Sequence, residues 1–180
     1  MLTRRQHQEA RDRAAAMMRG AGVGLTDKEV AAMDVADFGL GHLEAEGAQI
    51  VSFFNSERVS AKVIALFPGQ TLPEHWHSAV GEDPGKEETI RVIGGTAYVY
   101  IPGEESIACG RIPAGKDGCY SVRHEIVMRP GDQITLEPGV KHWFQAGSEG
   151  AVMFSFSSAA RCALDPFTDP HIVRVTKITD

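Results

Sequence analysis

Cysteine is scarce in this 180-residue chain. There are three, Cys109, Cys119 and Cys162, and they form no Cys-x-x-Cys pair. That fits free thiols in a reducing, cytoplasmic setting better than a secreted disulfide framework. Long apolar runs are also missing. No window approaches the roughly 18 consecutive apolar residues of a membrane span, so no membrane partner is expected. The opening "MLTRRQHQEARDRAAAMMRG" is charged and lacks the apolar centre of a secretory signal. Positive charge is in deficit, with 18 Lys and Arg against 24 Asp and Glu, a net charge of −6. Such a balance favours solubility and argues against nucleic acid as a partner. The hydrophobic share of 43% and the length suit one globular domain with its own core.

What is present changes character along the chain. "RRQHQEARDRAAAMMRGAG" is made of good helix formers and stops in the glycines at 20–24. Thr26 with Glu29 has the form of a capping box, which predicts a second short helix ending near "DVADFGLGHLE". Residues 1–47 thus read as a helical segment. After residue 48, short runs rich in Val, Ile, Thr, Phe and Tyr alternate with five Pro-Gly pairs. Frequent turns between such runs predict a β-sandwich or barrel over 48–160. Gly94-Gly95 reads as a hairpin turn. "GEESIACGRIPAGKDGCYSVRH" reads as a long irregular hairpin tip, and 161–180 as a C-terminal segment.

One stretch asks for chemistry. "EHWHSAVGEDPGKEE", residues 74–88, surrounds His75 and His77 with five carboxylates and a lysine, in a chain with seven histidines. On a strand, i and i+2 side chains share a face, so two imidazoles point at one place while Trp76 points away. A third ligand is available in the acidic cluster. His142, after the tight turn "EPGVK", is the strongest distant candidate for a fourth. A lone histidine is usually structural; a motif-spaced set is much harder to obtain by accident.

The spacings resemble the paired motifs of the cupin superfamily. Five residues separate Gly69 from His75-x-His77, six separate Glu88 from Gly95, and Gly131 and Pro138-Gly139 lead to His142. The resemblance implies a mainly β fold, a double-stranded β-helix (jelly-roll) barrel with the N-terminal helices packed on it. It also implies one divalent metal on His75, His77, Glu88 and His142. The His77-to-Glu88 gap is longer than usual, which keeps Glu87 as a rival ligand, and Glu137 stands where the second motif has proline. A narrower resemblance, to the cupin-type D-lyxose isomerases, covers nearly the whole chain. It is carried by "VADFGLGHLEAEGAQIVSFFNSERVSAKVIALFPGQTLPEHWH", "GEDPGKEET" and "FSSAARCALDPFTDPHIVR". It implies a metal-dependent aldose–ketose isomerase for a free sugar, D-lyxose or D-mannose, with Mn²⁺ as the typical metal. It also implies a role for the Lys86-x-Glu88 pair and a C-terminal tail, with Asp165, Asp169 and Arg174, closing over the pocket. Where the group has an acid, this chain has Ser155.

The donor set itself, three imidazoles and a carboxylate with no thiolate, leaves Mn²⁺, Fe²⁺, Co²⁺, Ni²⁺ and Zn²⁺ open. Lys86 is either a solvated loop lysine or a cation for a substrate oxygen. Lys62 interrupts an apolar run, and a lysine facing a barrel interior needs a partner, so it sits at a rim or lines the cavity. A metal-bound Glu88 is a poor base, so Glu74, Glu87 and Asp165 are candidates to carry a proton, and a direct hydride shift needs none of them. Lys62, Lys86, Asp169 and Arg174 are the candidate sugar-binding residues. No Gly-rich phosphate cradle is evident, which favours an unphosphorylated sugar. An iron-dependent cupin dioxygenase and a non-catalytic sugar-binding cupin are the competing readings. A homodimer is expected by analogy with other cupins.

Overall fold

The computed structural model describes residues 1–180, the Cys162 side chain excepted, so the thiol reading for Cys162 lies outside the described residues. Strand β1 (Leu2–Thr3) leads into helix α1 (Arg4–Gly20). Thr3 caps α1 by accepting from the Gln6 amide, while the Gln6 side chain accepts from the Thr3 amide. Ala10, Ala14, Ala15 and Met18 form the buried stripe of α1. They pack on Val51, Val63, Ala65, Phe67 and Val152. Small alanines let the helix approach the sheet closely. The Thr26–Glu29 box caps α2, which is short (Asp27–Ala31).

The helical reading of the first 47 residues needs one correction. After α2 the chain forms strand β2 (Asp34–Ala36), antiparallel to β3. Three residues are too few to display a period, and the pairing with β3 decides the conformation.

The barrel follows as β3 (Ala48–Asn55), β4 (Val59–Leu66), β5 (Thr71–His75), β6 (Glu88–Ile101), β7 (His124–Met128), β8 (Gln133–Leu136) and β9 (His142–Ser158). A short β10 (Ile178–Thr179) pairs with β1. Strand order is β2-β3-β4-β9-β6-β7, with β5 also on β9 and β8 also on β6. The long strands β6 and β9 pair along most of their length. Each then changes partner part-way: β9 pairs β5 with its first half and β4 with its second, and β6 pairs β8 and then β7. This is how one antiparallel array wraps into a cupin jelly roll. Alternation puts Ile64, Leu66, Ile90, Val92, Phe144 and Met153 in the interior core. Their neighbours Val63, Ala65 and Val152 face α1.

Gly94-Gly95 is not a hairpin turn. It lies inside β6, where the register with β9 shifts between Val92 and Gly94 and again between Gly95 and Ala97. The glycines serve bulges that bend one continuous strand from one wall to the other. The hairpin tip over residues 102–123 does join paired strands, β6 and β7. Cys109 and Cys119 within it are free thiols. No helix among the described residues is long and apolar enough to cross a membrane.

Candidate metal centre

His75 is the last residue of β5 and pairs with His142, the first residue of β9. His77 lies just past the strand end, and Glu88 opens β6. Ring centroids are 4.3 Å apart for His75–His142, 5.1 Å for His77–His142 and 5.3 Å for His75–His77. One nitrogen from each of the three rings lies within 4.8 Å of the others. Glu88 Oε2 is 3.1 Å from His77 Nε2 and 3.9 Å from His142 Nε2. All four side chains are buried.

The rings are oriented from behind. His75 Nδ1 meets the Pro73 carbonyl at 2.8 Å, and His142 Nδ1 meets the Val140 carbonyl at 2.8 Å. A carbonyl only accepts, so Nδ1 carries the hydrogen and Nε2 of the neutral ring carries the lone pair. His77 Nδ1 meets Asp165 Oδ1 at 2.9 Å. Burial, with the neighbouring His142 and His77, holds His75 well below the usual histidine range. Burial takes His142 down to about 4. Both rings are therefore neutral near pH 7. Burial works against charge on His77 too, but its hydrogen bonds to Asp165 and Glu88 raise it. Burial alone would raise Glu88; the Lys86 charge and the His77 hydrogen bond hold it well below the usual carboxylate range. The result is an anionic carboxylate facing converging ring nitrogens.

His142 Nε2 finds no hydrogen-bond partner among the described residues, although the atom is buried. An unpartnered buried nitrogen is costly and rare. A divalent cation between the Nε2 atoms and Glu88 Oε2 would satisfy it, and a mixed nitrogen and oxygen set suits such ions. The cluster can hold a metal ion.

Beside the cluster is a cavity of about 50 Å³. Its polar wall includes Lys62, Lys86, Glu88, Asp165 and Arg174; Phe38, Phe144 and Phe167 form apolar wall. Lys86 Nζ is 2.8 Å from Glu88 Oε1, and Ser155 Oγ donates to the same oxygen at 2.5 Å. A larger groove of about 500 Å³ runs between α1 and residues 41–45, but none of the clustered histidines line it.

The D-lyxose isomerase family profile matches residues 23–180. The chain belongs to the D-lyxose isomerase family. It is 50% identical over 171 residues to a D-lyxose ketol-isomerase from Cohnella laeviribosi, with 94% of each chain covered. It is 44% identical to a D-lyxose/D-mannose isomerase from Thermosediminibacter oceani, with 100% of both covered. The fold is also that of an L-ribose isomerase from Cellulomonas parahominis, at a TM-score of 0.82 and 17% identity, covering 99% of this chain and 98% of that one. The protein is a sugar isomerase, interconverting an aldose and a ketose.

Within this sugar isomerase the candidate residues separate into two groups. His75, His77, Glu88 and His142 meet at one point, and Lys62, Lys86, Asp165 and Arg174 line the adjoining cavity. Three candidates, Glu74, Asp169 and Glu87, lie elsewhere. Glu74 is buried, but its carboxylate accepts from the Ser121 and Val122 amides and from the Ser121 and Thr168 hydroxyls. The register slip between Leu72 and His75 turns His75 toward the interior and Glu74 away from it. Asp169 pairs with Lys116 and accepts from the His171 amide. Glu87 is exposed, with its backbone paired to Ser158.

Two members of the apolar wall, Phe38 and Phe167, are not legible in the sequence. Phe38 takes φ +51, which is rare for a bulky residue. Its ring meets Phe167 at 5.4 Å, and Phe167 meets His75 at 5.6 Å. The sequence carries no signal for that turn beyond the glycine that follows it.

Proposed function

We propose that this isomerase interconverts D-lyxose and D-xylulose, with D-mannose and D-fructose as a second pair, and that it does so with a divalent metal, Mn²⁺ first among the candidates. His75, His77, Glu88 and His142 would hold the ion. The observation that carries this reading is their convergence, with one nitrogen from each ring within 4.8 Å of the others and the buried His142 Nε2 without a hydrogen-bond partner among the described residues. The activity of the full-length relatives supports the choice of sugars.

When bound, the metal supplies Lewis-acid stabilisation of charge on the C1 and C2 oxygens of the open-chain sugar. The rest falls to the chain. Lys86, already placed on Glu88, donates to a sugar oxygen and keeps the carboxylate ionised. Lys62 and Arg174 donate to the remaining hydroxyls, and the phenylalanine wall excludes water. With Glu74 committed elsewhere and a serine at 155, Asp165 is the cavity carboxylate free of metal ligation. The hydrogen passes between C1 and C2 either through Asp165 or as a direct hydride shift.

The test is turnover. Protein loaded with Mn²⁺ converts D-lyxose to D-xylulose, the chelated protein and the His75→Ala variant do not, and Mn²⁺ restores only the former. In D₂O, transfer through a carboxylate that exchanges with solvent labels the product carbon, whereas a direct shift leaves it unlabelled. Absence of turnover on a panel of free aldoses with each divalent metal would reject the reading.

A further inference from the structure

Two of the three clustered histidines are oriented by the backbone. His75 and His142 each bond the carbonyl two residues upstream, Pro73 and Val140. His77 departs from this pattern. Its Nδ1 is held by Asp165, a side chain 88 residues away on the C-terminal segment. His77 also lies past the end of β5, outside the ladder that fixes its neighbours. Its ring has the least backbone restraint of the three and the most distant support.

We propose that Asp165 is a positioning residue. Its carboxylate holds the His77 ring with hydrogen on Nδ1 and the Nε2 lone pair toward the metal, so the C-terminal segment is tied to metal affinity. This rests on the metal reading above. A carboxylate accepts only, so Asp165 favours the Nδ1–H form, as outer partners of metal-bound histidines do. Glu88 Oε2, 3.1 Å from His77 Nε2, competes for the ring hydrogen in the metal-free protein, and under this proposal Asp165 prevails.

The backbone around Asp165 is anchored independently of its side chain. The Trp76 amide donates to the Pro166 carbonyl at 3.3 Å, the Thr168 amide to the Glu74 carbonyl at 3.1 Å, and Phe167 forms an antiparallel bridge with His75. The segment therefore stays docked when the Asp165 carboxylate is changed. What is lost is the bond to His77.

The experiment titrates Mn²⁺ into metal-free wild type, Asp165→Asn, Asp165→Ala and Asp165→Glu, without sugar. Asparagine can donate its amide hydrogen to Nδ1 and so favours the wrong tautomer. Affinity falls by about 10–100-fold in the Asn and Ala variants and recovers in part with Glu. A residue that only carries a proton for the sugar would leave Mn²⁺ affinity at the wild-type value while abolishing turnover, and that result overturns the proposal. The second readout is ¹⁵N-histidine NMR of metal-free wild type in alkaline buffer, which reports the ring tautomer without any variant. His77 protonated on Nδ1 supports the inference; His77 protonated on Nε2 overturns it. Should wild type bind no divalent metal, the metal reading fails on its own, and the NMR still decides whether Asp165 sets the ring.

Discussion

At the scale of single residues, the site depends on one buried carboxylate with several claims on it. Glu88 Oε1 takes hydrogens from Lys86 and Ser155, while Oε2 faces His77 and His142. The Lys86–Glu88 pair is almost fully buried on both sides. Removing one partner of such a pair leaves a charge that nothing offsets, at a cost of about 3–5 kcal/mol. Lys86→Met is therefore expected to destabilise the metal-free protein by several kcal/mol. With Mn²⁺ bound the loss is smaller, because a second cation then faces the same carboxylate. Urea unfolding of wild type and variant, with Mn²⁺ and with chelator, gives both values. Equal losses under the two conditions would mean that Glu88 is not a ligand. Ser155→Ala removes a neutral donor from a charged acceptor and should cost less than loss of the lysine, about 1.5–3 kcal/mol. Glu74 teaches the limit of reading by composition. It sits next to a site histidine in sequence, yet a register slip sends its carboxylate to the far side of the strand.

At the scale of elements, the capped helices, the change to β-rich runs at residue 48 and the long loop between β6 and β7 were legible, because each rests on local propensity or turn chemistry. The Gly94-Gly95 pair was misread for a physical reason. Glycine marks unusual backbone without saying whether the chain reverses or merely bends. Here β6 pairs with β9 on both sides of the glycines, which only the assembled sheet can reveal. Gly95 has φ +68, and a Cβ added there would lie 2.0 Å from the Gly150 carbonyl oxygen. Backbone can yield only by moving β9 as well. Left-handed strain alone is worth about 1–3 kcal/mol for a non-glycine residue, and the overlap adds to it. Gly95→Ala is expected to lower the melting temperature sharply, whereas Ala substitution at the open turn glycine Gly118 should have little effect, since nothing lies within 4 Å of its added Cβ. Similar melting curves for the two variants would refute this account of the bulge.

At the scale of the whole molecule, the convergence of His75, His77, Glu88 and His142 was legible through motif spacing because the barrel is built from those spacings. The support behind it was not. Asp165 reaches His77, and Phe38 and Phe167 reach the cavity, only after distant segments dock, and no local pattern records that docking. The same long-range assembly has a thermodynamic consequence. The clustered residues His75, His77, Glu88 and His142 come from β5, the loop after it, β6 and β9, so the unfolded chain offers no comparable site. A ligand that binds only the folded state stabilises it by about 2.7 kcal/mol at a hundredfold excess over its Kd. For a chain of this size each kcal/mol moves the midpoint by roughly 2–4 °C. Saturating Mn²⁺ is therefore expected to raise the melting temperature by roughly 5–11 °C, and chelation to reverse the rise. The increment should vanish in His75→Ala and His142→Ala, while Gly118→Ala keeps it in full. A rise that survives loss of either histidine would place the bound ion elsewhere and remove the basis for a catalytic metal at this cluster.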